Sequence, residues 1–121
     1  MLKIKTSTLD RLFSEFIHLR AGNKCEYCGK TEGKLDCSHF IGRRTRAVRY
    51  DPDNACCACF GCHQFLDEHP YEHTAFFRQR LGSEKLEQLI IRAGTKVKSS
   101  PKSIEALKAR LKEMVKSVEA L

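Results

Sequence analysis

Cys25 and Cys28, and again Cys59 and Cys62, form two C-x-x-C pairs with the segment from Gly29 to Ala58 between them. Two such pairs supply four thiolates that can converge on one ion from tight turns, the ligand set of a tetrahedral structural zinc site. Gly29 and Gly61 relieve the backbone beside each pair. A fold that uses these ligands must bring two distant turns together. The second pair has one open register, because Cys56-x-x-Cys59 also has the spacing. Cys59 and Cys62 are preferred, since Cys56 and Cys57 fall in an expected strand where they pack as small apolar residues, as does Cys37. A redox dithiol is the other reading of a C-x-x-C. The 121 residues hold seven cysteines, an odd number that excludes complete internal disulfide pairing. The opening MLKIKTSTLDRLF lacks the roughly 7–15-residue apolar run of a secretory signal. No stretch approaches the ~20 apolar residues of a membrane span. The expectation is a single-domain cytoplasmic protein, without a membrane partner, whose thiols bind metal. Structural zinc would add folding free energy to a core drawn from 41% hydrophobic residues.

The formal net charge of +7 is unevenly placed, with most of the surplus in residues 1–50. Arg43, Arg44, Arg46 and Arg49 crowd one acid-free stretch. From Asp51 to His73 there is no Lys or Arg, but there are Asp51, Asp53, Asp67, Glu68, Glu72 and three histidines. A basic strip beside an acid- and histidine-rich strip points to phosphate contact next to metal chemistry. Two solvated surfaces are the plainer alternative. Lys96, Lys98, Lys102, Lys108, Arg110, Lys112 and Lys116 make a second basic region, read equally well as a solvated helix.

Hydrophobic spacing predicts an α+β chain in three parts. Residues 1–22 form an N-terminal helix packing on the core, capped by Ser7 and stopped by Gly22, with Leu9, Leu12, Phe13, Phe16 and Ile17 inward. Residues 23–94 form the zinc-bound domain. It begins with strands at Leu35–Ile41 and Asn54–Ala58, joined by an arginine-rich loop that Asp51-Pro52-Asp53 closes. Helices follow at Phe60–Glu68, Pro70–Leu81 and from Ser83 as cap to Gly94, the last with Leu86, Leu89 and Ile90 inward. Residues 95–121 are a linker and a C-terminal amphipathic helix opened by Ser100-Pro101. Its stripe of Ile104, Leu107, Leu111, Met114, Val118 and Leu121 either packs on its own domain or self-associates.

Within LDCSHF at 35–40 and DNACCACFGCH at 53–63 the order His39, Asn54, His63 appears, the last directly after the second C-x-x-C. From Cys25 to about Asp67 this resembles the HNH, or His-Me finger, endonucleases. The wider pattern C-S-H-F…V-R-Y-D-P-D-N…C-x-x-C-H…Y…F-x-x-x-L-G, over residues 25–82, is most similar to the phage NinG/Rap recombination endonucleases. The resemblance implies a small zinc-stapled ββα-metal core, treble-clef-like, with flanking N- and C-terminal helices. It implies a metal-dependent, structure-specific endonuclease hydrolysing phosphodiester bonds in branched DNA of the Holliday-junction type, in phage recombination inside a bacterial host. His39 would be the general base, Asn54 would hold the histidine loop, and His63 would bind a catalytic divalent cation, magnesium or manganese. Ser38 stands where many members carry Asp or His. Asp36, on the same strand face as Ser38, or Asp67, on the same helix face as His63, would complete the site, with Asp36 preferred. Arg43, Arg44, Arg46 and Arg49 would contact the DNA backbone. Two symmetric incisions imply a homodimer, with the terminal stripe as candidate interface. The alternatives are an HNH nuclease nicking or restricting duplex DNA, and an inactive zinc-stapled DNA-binding module. His18 is expected to be structural, and His69 and His73 to lie on the surface.

Overall fold

The apolar residues Leu9, Leu12, Phe13 and Ile17 all turn inward along one helix, α1 (Leu2–Arg20). A computed structural model describes residues 2–97 and 100–120, with side chains from Thr8 onward. α1 begins before Ser7, the expected cap, whose side chain lies outside the described residues. The helix ends as predicted: Gly22 and Asn23 take positive φ, and Asn23 N donates to the His18 carbonyl at 2.9 Å.

Strands β1 (Leu35–His39) and β2 (Ala55–Cys59) pair antiparallel, with Cys37 opposite Cys57 and His39 opposite Ala55. β1 stops two residues short of the expected Ile41, because the Asn54 side chain takes hold of the Ile41 backbone. The connecting loop contains two single 3-10 turns, Arg46–Val48 and Pro52–Asn54. The Asp51 carboxylate caps the second, accepting from Asp53 N at 3.0 Å. Helices α2 (Phe60–Glu68) and α3 (Pro70–Leu81) occupy the predicted spans. In α4 (Ser83–Ala93) the cap position falls on Gly82, at φ 86°, and Ser83 is already helical. α5 (Pro101–Glu119) opens with a full capping box between Ser100 and Ser103.

Every residue of β2 is buried, so each face of the two-stranded sheet meets its own apolar layer. On one face Ala55 and Cys57 pack with Leu9, Leu12, Phe13 and Ile17 of α1 and Leu111 of α5. On the other, Cys56 and Ala58 pack with Phe77 of α3, Leu86 and Leu89 of α4, Val48 and Cys25. Ile90, expected inward, is 53% exposed, because α4 meets this layer along Leu86, Leu89 and Ala93. Several outward backbone groups of the sheet are bonded by side chains and by a short backbone exchange. His18 Nε2 donates to the Leu35 carbonyl at 2.9 Å, and Arg20 donates to the Pro52 and Ala55 carbonyls, both at 2.8 Å. Glu26 N donates to the Cys57 carbonyl at 2.8 Å, and Cys57 N returns a bond to the Glu26 carboxylate at 2.7 Å.

Ile104, Leu107, Leu111 and Met114 of the C-terminal stripe lie against α1. The stripe is therefore seated within its own chain, and not offered as a free face to a second copy. Leu121 lies outside the described residues. Among the described residues no helix is long and apolar enough to cross a membrane. Because Leu111 is fully buried in this packing, Leu111→Ala should cost about 2–5 kcal/mol in urea unfolding. That loss should not depend on protein concentration, whereas a stripe shared between two copies would make it do so.

Candidate metal centre and histidine sites

The spacing within each C-x-x-C turns the backbone N–H of the second cysteine toward the sulfur of the first. Cys28 N reaches Cys25 Sγ at 3.4 Å, and Cys62 N reaches Cys59 Sγ at 3.5 Å. The first turn closes through Gly29, at φ 83°, and through Cys25 N donating to the Lys30 carbonyl at 2.8 Å. The second turn is the start of α2, with Cys59 as its cap. The four sulfurs lie within 4.8 Å of one another, and those of Cys28 and Cys59 are 3.8 Å apart. Cys25, Cys28, Cys59 and Cys62 can thus hold a structural metal such as zinc. Burial works against ionisation of Cys25, but N–H donors around its sulfur outweigh it and hold the thiol at about 7. Burial, and sharing of its proton with neighbouring sulfurs, push Cys62 up. Cys56 is fully buried in the same apolar layer as Cys25 but is not one of the four sulfurs that meet, and burial raises its thiol to about 12.

β1 alternates, and its two faces carry different chemistry. Asp36 lies on the α2 side, where its carboxylate meets His63 Nδ1 at 3.1 Å. Asp67, one turn after His63 on α2, meets His63 Nε2 at 3.4 Å. The imidazole is therefore flanked on both edges by carboxylates, the inner one mostly buried and the outer one 54% exposed. Two further polar groups lie on this side of the sheet. Ser38, two residues from Asp36 on the same strand face, is fully buried, and its Oγ has no hydrogen-bond partner among the described residues. His73, expected on the surface, is buried at the start of α3 against Phe40 and Phe77, with ring centroids at 5.2 and 5.4 Å. Its Nε2 also lacks a partner among the described residues. Burial holds His73 below the usual histidine range, with Asp67 and His63 close enough to act on it in opposite directions. The spacing from Phe40 through Phe77 carried no sign of this, because the helical face of His73 shows only once α3 is placed. His69 is exposed, as expected, and stacks on Phe65.

His39 ends β1 on the other face. Its ring lies 5.7 Å from that of Phe13 and lines a cavity of about 180 Å³ with Asp10, Phe13, Ser14, Cys37 and Arg43. His39 Nε2 donates to the Arg49 carbonyl at 2.8 Å, which leaves the Nδ1 lone pair free to accept. Burial is the largest influence keeping this imidazole neutral below the ordinary range, and Arg43 and Arg49 add to it. Asn54 fixes the loop on which that arrangement depends. Its Oδ1 accepts from Ile41 N at 2.7 Å, and its Nδ2 donates to the Ile41 carbonyl at 2.9 Å and the Val48 carbonyl at 3.0 Å. The side chain is fully buried and staples the chain after His39 to the middle of the arginine loop.

The four loop arginines divide. Arg43 meets Asp10 at 2.6 Å, and Arg49 meets the same carboxylate through two nitrogens at 3.1 and 2.8 Å. Tyr50 donates to it at 2.8 Å. Burial raises the Asp10 carboxyl, but these donors and the two positive charges outweigh it and hold it below the usual range. Arg44 and Arg46 are exposed and make no ion pair among the described residues. Asp10 was not legible as a site residue, since nothing in its helix distinguishes it until the loop folds over it. Lys98 of the second basic region lies outside the described residues.

No protein-family model, curated protein or solved structure matches the chain. The ligand set of the metal centre is open to direct measurement. In native mass spectrometry the wild-type chain should carry one tightly bound zinc, and Cys59→Ser should lose it. Cys56→Ser should keep it, with reduced stability from the altered core; the reverse result would assign the other C-x-x-C register.

Proposed function

We propose that this chain is a metal-dependent, structure-specific DNA endonuclease of the His-Me finger type, acting on branched DNA of the Holliday-junction kind in phage recombination. The observation that carries the reading is the coupling of His39 to Asn54. A neutral, oriented imidazole ends the first strand, and a buried amide in the turn just before the second holds its loop by three hydrogen bonds. A solvated surface histidine needs no such support. The order of strand, arginine loop, strand and helix, tied by four cysteines, supports a ββα-metal, treble-clef-like core with structural zinc.

Phosphodiester hydrolysis needs a water deprotonated for attack, a steadied phosphate, and relief of charge on the leaving oxygen. His39 Nδ1 takes the proton from water, while the bond from Nε2–H to the Arg49 carbonyl fixes the tautomer and steadies the imidazolium that forms. Arg44 and Arg46 hold the DNA backbone by charge. A divalent cation at His63 is part of this proposal: among the described residues only the four cysteines already converge on one point, so His63 and Asp67 would have to draw together on the ion as it binds. His63 Nε2 and Asp67 would hold the ion, with Asp36 orienting the ring through Nδ1; this moves the preference for the second ligand from Asp36 to Asp67. Magnesium or manganese bound there would supply Lewis-acid stabilisation of the leaving 3′-oxygen. The homodimer expected for paired incisions would use a surface other than the α5 stripe.

A second reading, a zinc-stapled DNA-binding module without catalysis, draws on the alternation of β1. His39 and Asp36 lie on opposite faces of the strand, so the base and the cation cluster can share one phosphate only across the strand end.

Cleavage of a four-way junction and of linear duplex, with magnesium or manganese, separates these readings. His39→Ala should lose at least about 100-fold in rate, the lower range for a general base, while still binding the junction. The wild-type rate should fall as pH drops, with a midpoint below the ordinary histidine value of 6.5, because burial disfavours the protonated form; His39→Ala should lack this limb. Wild type and mutant equally inert, yet both binding, would establish the binding module, and equal cutting of linear duplex would remove the junction preference. Arg44→Ala and Arg46→Ala should each lower the salt slope of DNA binding by about one with little change in Tm. Arg49→Ala should lower Tm instead, since it strips donors from Asp10.

A further inference from the structure

We propose that Cys37 and Cys57 form a dithiol site that low-molecular-weight disulfides oxidise to a cross-strand disulfide, separate from the four metal-binding thiols. The two cysteines face each other directly in the antiparallel ladder. Antiparallel pairs alternate between hydrogen-bonded sites and closer, non-hydrogen-bonded sites. The outward backbone bonds identify the kind of site. Cys57 N and its carbonyl both bond to Glu26 and so point away from β1. The carbonyls of Leu35 and Ala55, two residues away on each strand, likewise point outward, to His18 and Arg20. Cys37 and Cys57 therefore occupy a non-hydrogen-bonded site. There the Cα atoms lie about 4.5 Å apart and the side chains are closest, a separation within the Cα range of roughly 4.4–6.8 Å that a disulfide spans. The pair is on the α1 face, whereas Cys25, Cys28, Cys59 and Cys62 meet around the start of α2.

The two thiols differ in access, and this sets the order of reaction. Cys37 is half-buried and lines the 180 Å³ cavity beside His39. Cys57 is fully buried. Burial raises the Cys37 thiol to about 12, so the reaction belongs to alkaline pH, where a small disulfide entering the cavity is attacked by the Cys37 thiolate, releasing one reagent thiol and leaving a mixed disulfide. The Cys57 thiolate then attacks the Cys37 sulfur, releasing the second reagent thiol and closing the bridge. Overall, two protein thiols are oxidised and one reagent disulfide is reduced to two thiols, with the protein's two protons passing to them. The bridge ties β1 to β2 between His39 and the metal ligand Cys59, so it would hold the strands together when the metal is withdrawn.

The zinc-loaded chain is treated with 2-hydroxyethyl disulfide at alkaline pH, followed by native mass spectrometry and peptide mapping. The expected product has lost two hydrogen atoms, retains zinc, and yields a Cys37–Cys57 cross-linked peptide. Cys57→Ala should stop at the mixed disulfide on Cys37, and Cys37→Ala should remain unmodified while keeping zinc. In chelator the oxidised wild type should melt at a higher Tm than the reduced one. Oxidation confined to the four metal thiols with loss of zinc, or stable separate adducts on Cys37 and Cys57, would overturn the proposal. None of these measurements depends on DNA cleavage, so the nuclease reading can fail without affecting this one.

Discussion

Four sulfurs at the meeting point of the first turn, the end of β2 and the start of α2 are the constraint from which the rest follows. Cys59 belongs to two elements at once: it is the last residue of the sheet and the cap of α2. Drawing Cys25 and Cys28 to it fixes the turn at 25–30 against the strand, and so places Glu26 where it can bond Cys57. A two-stranded ribbon alone is marginal in water. Here a metal bound by four thiolates would set its position, and apolar layers close over both faces. The helices then pack onto a sheet whose orientation is already decided.

The alternation of β1 distributes chemistry between the two layers. Asp36 and Ser38 turn toward α2 and α3, where His63 and His73 lie; Cys37 and His39 turn toward α1. The arginine loop joins the second group because Asp10 on α1 captures Arg43, Arg49 and Tyr50. The N-terminal helix is thus part of the His39 environment, through Phe13 and Asp10, as well as a cover for the core.

Much of this is legible in the sequence where local chemistry decides the outcome. The C-x-x-C turns, Pro70 at the first turn of α3, Gly22 after α1 and Ser100-Pro101 before α5 each act within a few residues, and these features match the elements observed. The preferred cysteine set is the one whose sulfurs meet. What escaped is long-range. Ile90 has the spacing of an inward residue, but the angle at which α4 meets the core leaves it outside. His73 has no motif around it, and only the fold of α3 over Phe40 buries it. Arg43 and Arg49 look alike with Arg44 and Arg46 until Asp10, from a distant helix, selects two of the four. Gly82 in place of Ser83 at the α4 cap is a one-position difference that a pattern cannot resolve.

The bonds on the outer sides of the sheet carry a consequence for the chain's behaviour in a crowded solution. An exposed strand edge invites another chain to add a strand and begin an aggregate. Here the carbonyl of Leu35 is taken by His18, that of Ala55 by Arg20, and both backbone groups of Cys57 by Glu26. These three residues all precede the sheet in sequence, on α1 and the first cysteine turn. During synthesis they emerge before either strand does, so the β2 margin and the start of the β1 margin can be covered as soon as the hairpin forms.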